Sequence, residues 1–527
     1  MSTPPEPAPR DLDRPFPLKD QVETILACCR DAPCEPTGIT RELYLDLAER
    51  IARGVAKFQE SAQLEAPTCW GPSRTSSGLR SAGEIVDPVE GLPSYQRLVT
   101  GRFAGAVGML LEAGRAKDLA AKGVKAMTLA IEALSQTGKP NPIVCAEFFP
   151  REVVSGLAGY APYVGEETVR RWRVVLAFDP ESGYHDTLAH KPLEAIFNWN
   201  SFGLVSEQLK TLHGIGGDAG FIERYLPRHR TLFDANGMYR DPNCPMTYDA
   251  VVRQNFSVML HAGYNGSHRA WMEEALRRGA LAALLFQSPT GEAPFGGRSN
   301  QFHLVEATHA GCWEFQARQA ARGRIPHMRM CGIPRFQPPR TAAEGDCALA
   351  GVFKRAARRA AMSTRRWILE ADPFRHQKSF FAPGTHGVDS GGNYTMYGIT
   401  AAALFCHAYR LADESIGECA TPAEVGGFVV ESSPDFHKVF ATCAGAHIEI
   451  DTRADLAKDA TGIGRFHYES LRARPAEGTS AELFNSAILP ITKKPVFFEK
   501  TGFWPSAACR GEQTKDGGAR MAELFNS

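Results

Sequence analysis

From Thr40 to about Leu411 the chain repeats one pattern: a run with apolar residues three and four apart, a loop rich in Gly or Pro, then another such run. Glu42–Phe58 carries Leu43, Leu47, Ile51 and Val55 at that spacing, which puts them on one helical face. Phe103–Glu112, Leu119–Leu134, Val164–Ala177, Phe202–Leu212, Ala219–Leu232, Tyr248–His261, His268–Phe286, Phe302–Ala321, Phe353–Glu370 and Tyr394–Leu411 follow it. Helices this close in sequence pack as antiparallel neighbours. Strict repeats are absent, which argues against a consensus solenoid. A closed ring of hairpins tolerates divergent repeats and gathers its loops round one mouth. The expected fold is therefore mainly α, an (α/α) toroid of helical hairpins.

The pattern changes after Ile416. Gly427–Glu431, Lys438–Thr442, Ala446–Asp451 and Gly464–Tyr468 are short, rich in β-branched or aromatic residues, and separated by turn residues. His447 to Asp451 alternates polar and apolar, as a half-buried strand does. A small antiparallel β domain follows the toroid, and four strands make it abbreviated. The expected division is a disordered leader over 1–19, where Pro and charge dominate, a toroid over 20–415, a sheet domain over 416–500 and a tail over 501–527. Ala481–Ser486 recurs word for word as Ala522–Ser527.

Composition removes several classes of function. Lys+Arg and Asp+Glu both number 59, so no global charge draws the chain to nucleic acid or an anionic membrane. An anionic ligand must be held by local groups. The basic run Lys354–Arg359 reads as the solvated side of a helix. No apolar run is long enough to cross a bilayer, and the N-terminus lacks a secretory pattern. The 13 cysteines form no Cys-x-x-Cys pair, which suggests reduced thiols and a cytoplasmic protein. Walker A, Gly-x-Gly-x-x-Gly, His-Glu-x-x-His and Gly-x-Ser-x-Gly motifs are all missing, so no cofactor and no metal is expected.

Polar chemistry concentrates in the loops that open helices. In Pro294–His303, two glycines permit a tight backbone approach, and Ser299 is a candidate N-cap. Arg298, Asn300, Gln301 and His303 crowd a helix N-terminus, where free N–H groups and the dipole favour an anion. The bland reading is a capped loop whose Arg pairs with a nearby Asp. Asn198-Trp199-Asn200 leads into another helix; one Asn suffices as a cap, and Trp199 offers a flat face to a sugar ring or to the core. Tyr248 opens the helix Tyr248–His261 and is a candidate acid or base, although a lone Tyr is structural more often than not. His386 lies in the Gly-rich stretch Ala382–Asn393. Glu306, Asp241, Asp249, Glu292 and Asp389 are the carboxylates in or near these segments, and glycoside hydrolysis would need a pair of them across a bond.

The helical hairpins followed by a sheet, the Asn198–Phe202 loop, the helix opened by Tyr248 and the Arg298–Gln301 loop resemble the (α/α) toroid polysaccharide lyases, including heparinase II/III-like and ulvan- or chondroitin-lyase-like families. That resemblance implies β-elimination on a uronate-containing oligo- or polysaccharide. Asn200 and Arg298 would neutralise the carboxylate, and Tyr248 and His386 would move protons. Asn198, Trp199, Asn300, Gln301, His303 and Glu306 would bind the acidic oligosaccharide. The short sheet and the missing export signal depart from that family, and they keep open a toroid glycosidase such as a glucuronyl or unsaturated-uronyl hydrolase. A non-catalytic sugar-binding scaffold would keep Trp199 and Arg298 and need no proton donor.

Overall fold

A computed structural model describes residues 11–59, 64–65, 79–80, 82–86, 98–136, 148–184, 192–294, 296–299, 302–322, 346–370, 393–453 and 461–468. Its longer helices are α1 (Lys19–Asp31), α2 (Glu42–Val55), α3 (Leu98–Glu112), α4 (Ala120–Leu134), α5 (Pro150–Gly156), α6 (Glu166–Leu176), α7 (Asn198–Leu212), α8 (Ala219–Arg230), α9 (Met246–His261), α10 (Arg269–Phe286), α11 (Leu304–Ala321), α12 (Cys347–Glu370) and α13 (Asn393–Leu411).

Burial sorts them into two layers. α3, α9 and α11 are buried on nearly every side, whereas α2, α6 and α8 bury one stripe and expose the other. A helix that is covered all round belongs to an interior layer. The inner helices close a circuit: α13 packs on α3, α3 on α5, α5 on α7, α7 on α9, α9 on α11 and α11 on α13. α2 covers α13 and α3, α8 covers α7, α10 covers α9 and α11, and α12 covers α11. The expected ring of hairpins is the fold. No helix among the described residues is long and apolar enough to cross a membrane.

One seam of the ring is unusually close. A Cβ added to Gly108 of α3 would lie 2.2 Å from the carbonyl oxygen of Gly156, and one added to Gly159 would lie 2.0 Å from that of Gly108. The two backbones touch with no side chain between them. Gly108→Ala must therefore push α3 and α5 apart, an overpacking worth about 1–3 kcal/mol or more. The urea midpoint should fall accordingly, and an unchanged midpoint would show that the seam has room to give.

After the ring, β1 (Phe428–Glu431), β2 (Lys438–Cys443), β3 (Ala446–Asp451) and β4 (Gly462–Tyr468) form an antiparallel sheet in sequence order. Phe428 pairs with Thr442, Phe440 with Glu449, and Ile448 with Phe466. The sheet docks on the end of α10, where Phe440 stacks on Phe286 at 4.5 Å. Beside it, Arg465 donates to Glu292 at 3.0 Å.

Three differences from the sequence reading have physical causes. Residues 11–19 are not a disordered leader: Leu12, Phe16 and Leu18 are buried, and Asp11 and Asp13 pair with Arg240 and Arg230. Three apolar anchors outweigh the Pro and charge around them. The seven-residue α5 was not expected, because Gly and Pro flank it. α3 and α7 begin earlier than the apolar spacing indicates, at Leu98 rather than Phe103 and at Asn198 rather than Phe202. The expected tail and the end of the sheet domain lie outside the described residues.

Candidate functional site

The N-terminal halves of the inner helices, with the loops that precede them, meet in a closed chain of contacts at one end of the ring. On α7, Asn198 donates to Asp241 Oδ1 from its backbone N–H at 3.3 Å and from Nδ2 at 2.6 Å. Asp241 Oδ2 accepts from Arg298 Nη2. The Arg298 guanidinium lies over the Tyr248 ring, 4.6 Å from its centre. Tyr248 at the start of α9 reaches Ser299 Oγ at 3.3 Å, and Ser299 Oγ reaches the Tyr397 hydroxyl of α13 at 2.8 Å. Also on α13, Thr400 accepts from Arg102 of α3, which donates as well to the Phe148 carbonyl just before α5. The Phe148 ring meets Trp199 edge-on at 4.8 Å, which returns the circuit to α7.

Local backbone explains why these side chains converge. Gly296 and Gly297 have φ of 131° and 77°, and a Cβ on Gly297 would lie 2.7 Å from Pro245. The loop therefore crosses directly over the start of α9, where Met246 N–H donates to the Gly296 carbonyl at 3.2 Å. Ser299 is left-handed at φ 64°, a costly setting for a residue with a side chain. It does not cap α11, whose N-cap is His303. Its hydroxyl instead bridges Tyr248 and Tyr397.

The electrostatics of this mouth favour anions. Helix N-termini present partial positive charge, and Arg298, with 35% of its side chain exposed, adds a guanidinium whose charge Asp241 offsets in part. Burial pushes Arg298 toward release of its proton, but Tyr248 and Asp241 outweigh that and raise its proton affinity. Burial raises the Asp241 carboxyl above the usual range, against the bonds from Asn198 and Arg298. Trp199, 44% exposed, stands on the rim.

The structure thus brings Asn198, Trp199, Arg298 and Tyr248 together, and it places other expected residues elsewhere. Asn200 is fully buried below the mouth. Its Oδ1 lies 3.0 Å from His229 Nε2, and His229 Nδ1 lies 2.9 Å from the Tyr239 hydroxyl. The assignment that satisfies both is Nε2–H donating to Asn200 and Nδ1 accepting from Tyr239. Its Nδ2 is sealed from solvent with no partner among the described residues, so Asn200 sits in the interior and not on the surface of the mouth. His303 and Glu306 are also fully buried. They lie 3.4 Å apart, and Glu306 accepts the Ala293 N–H at 2.9 Å, so they brace the loop from behind. Asp249 is bound by Arg253 and by the Tyr239 N–H, and Glu292 belongs to the sheet contact. Asn300, Gln301, His386 and Asp389 lie outside the described residues. Among the described carboxylates singled out by sequence, Asp241 is the one in the mouth.

Burial holds His229 neutral, with its proton affinity pushed down to about 3. Below the ordinary imidazole range of about 6.5 the unfolded chain takes up a proton that the folded chain refuses, so stability falls as pH drops from about 6.5 toward 3. His229→Gln should flatten that decline between pH 7 and pH 5 in urea titrations. An identical slope in the variant would mean that His229 is not held neutral.

Residues missed by sequence reasoning are Arg102, Thr400, Tyr397 and Phe148. Arg102 had one legible signal, a lone charge inside the otherwise uncharged run Leu98–Leu111. The other three carried none.

A ring of inner helices within a second helical layer, followed by a small antiparallel sheet, is the class of fold these observations define. No family model matches the chain, and no curated protein matches it. Among solved structures it is similar to an unsaturated glucuronyl hydrolase variant from Streptococcus agalactiae, with a TM-score of 0.41 and 9% identity over 74% of this chain and 97% of that one. Another variant of that enzyme, complexed with dGlcA-GalNAc6S, gives a TM-score of 0.36 and 9% identity over 72% and 94%. A possible member of the GH105 family from Salmonella enterica gives 0.37 and 10% over 72% and 97%. At that level of similarity the chemistry must come from the residues themselves.

Proposed function

We propose that this chain is a carbohydrate-active enzyme that takes a uronate-bearing oligosaccharide at the N-terminal mouth of its helical ring. The observation that carries this is Tyr248, held by Ser299 on one side and covered by the Arg298 guanidinium on the other. An exposed indole on the same rim supplies a stacking face for a sugar. In elimination, the C5–H bond next to the uronate carboxylate breaks, a C4–C5 double bond forms, the C4–O bond breaks and the leaving oxygen takes a proton. The charge that develops on the carboxylate needs preorganised donors, which Arg298 and the helix ends supply. Tyr248 carries the proton between carbon and leaving oxygen.

Hydrolysis is the second reading, and Asp241 favours it. Its carboxyl lies beside Arg298, whose guanidinium covers the Tyr248 ring. Burial raises the proton affinity of that carboxyl, as a general acid requires, and it would have to exchange its bonds from Asn198 and Arg298 to donate. A second carboxylate would then have to activate water. Incubation with uronate oligosaccharides separates the two readings. Elimination gives an ultraviolet-absorbing unsaturated sugar, and hydrolysis adds one water per cut by mass spectrometry. No cleavage of acidic or neutral oligosaccharides, with retained sugar binding, would leave a binding scaffold and overturn the enzymatic reading.

A further inference from the structure

Arg102 stands out among the buried cations. It is 5% exposed. Its Nε donates to the Phe148 carbonyl and its Nη1 to the Thr400 hydroxyl, and the rings of Phe148 and Phe202 lie 5.9 and 5.7 Å from its centre. All of these partners are neutral. Every other buried Lys or Arg among the described residues has a carboxylate in ion-pair contact, as Arg151 has Glu152, Arg253 has Asp249 and Arg358 has Glu314. A charge taken out of water without a counter-ion is costly, and proteins rarely keep one without a use.

Its position supplies the use. Arg102, in the second turn of α3, belongs to the circuit of contacts that forms the mouth, joined there to Thr400 of α13 and to the Phe148–Trp199 rim. Burial lowers its proton affinity; the carboxylate that acts on it most is Glu152, which is itself in contact with Arg151, and Tyr397 and Tyr248 act on it more weakly. Its Nη2 makes no hydrogen bond among the described residues. Arg298, by contrast, already has Asp241. We infer that Arg102 is the principal seat of the substrate's acidic group, with the ligand carboxylate supplying the contact ion pair that no described residue gives it. This rests on the acidic-sugar reading for the identity of the ligand, but the anion site itself does not. Arg298 then keeps its own carboxylate when substrate binds, holds Tyr248 in place and serves the acidic group only as a secondary donor.

Calorimetric titration of the full chain with glucuronate, glucose and sulfate tests this, using Arg102→Met and Arg298→Ala beside the parent. The parent should bind glucuronate more tightly than glucose, and Arg102→Met should lose that preference by roughly ten- to a hundredfold, the worth of charge-assisted hydrogen bonds. Arg298→Ala should lose much less. Arg102→Met should also unfold at the same urea concentration as the parent, or a higher one, because no ion pair is broken. If sulfate binding depends on Arg102 but glucuronate is not preferred to glucose, the anion site stands and the sugar-acid reading falls. A glucuronate preference that survives Arg102→Met and disappears in Arg298→Ala overturns the inference while sparing the function. It is equally overturned if neither anion binds the parent, or if Arg102→Met is markedly destabilised, since the guanidinium would then be a brace.

Discussion

Tyr248→Phe is expected to cut turnover of a uronate oligosaccharide by about a hundred- to ten-thousandfold, the range that a positioned proton carrier supplies, while leaving substrate affinity within a few-fold. The ring of Tyr248 would remain beneath Arg298, so the cation keeps its platform and the mouth keeps its shape. Only the hydroxyl that reaches Ser299 is removed. A loss confined to kcat is the signature of an interaction made in the transition state, whereas a rise in KM alone would mark a binding role. Ser299→Ala gives a useful comparison, because it removes the link between Tyr248 and Tyr397 but leaves both phenols. Its effect should be smaller, a matter of aim rather than of chemistry. Full activity in Tyr248→Phe together with products that have gained water would end the elimination mechanism. Asp241→Asn would then be the severe variant, since a carboxyl group must supply the proton in hydrolysis.

Apolar periodicity makes the ring legible in the sequence, because helices that bury a face must repeat it every three to four residues. The same rule hides the site. Asn198–Ser201 look like a loop because polar residues interrupt the stripe, yet they form the first turn of α7. Arg102 falls one residue before the expected start of α3, since the stripe is recognisable only from Phe103. A helix end that lines a polar mouth has to break the pattern by which helices are recognised. Loop motifs were a better guide: Arg298, Asn198, Trp199 and Tyr248 were picked out by position alone, and they converge. Asn200, His303 and Glu306 shared those motifs but face inward, a matter of helical phase that short motifs do not encode. The pairing of Arg298 with Asp241 follows the blander sequence reading, an Arg that finds a nearby Asp. Both roles coexist, since a guanidinium has five donors and Asp241 occupies only one nitrogen.

The largest stability effect is expected one residue beyond Tyr248. Asp249 and Arg253, four apart on α9, are almost completely buried, and their heads meet in a two-pronged contact with distances of 2.6 to 3.1 Å. Asp249 also accepts the Tyr239 N–H at 2.7 Å. Asp249→Ala strands the guanidinium in the core and leaves that N–H without its acceptor. Breaking one side of a buried pair costs about 3–5 kcal/mol, enough to threaten folding of a marginally stable chain. Replacing both partners with apolar residues, as in Asp249→Leu with Arg253→Met, should restore much of the loss, because the unpaired charge goes as well. Urea midpoints of the parent, the single variants and the double variant measure this directly. The cycle also settles what Asp249 is for. If it were the catalytic carboxylate of a hydrolase, the double variant would regain stability but stay inactive at low temperature, where both proteins are folded. If the pair is structural, activity returns with the fold. Tyr239 gives the route by which the damage would reach the site: it holds His229, which holds Asn200 in the first turn of α7. A single variant as stable as the parent would show that water reaches Arg253 and that the interior of the ring is wetter than its packing indicates.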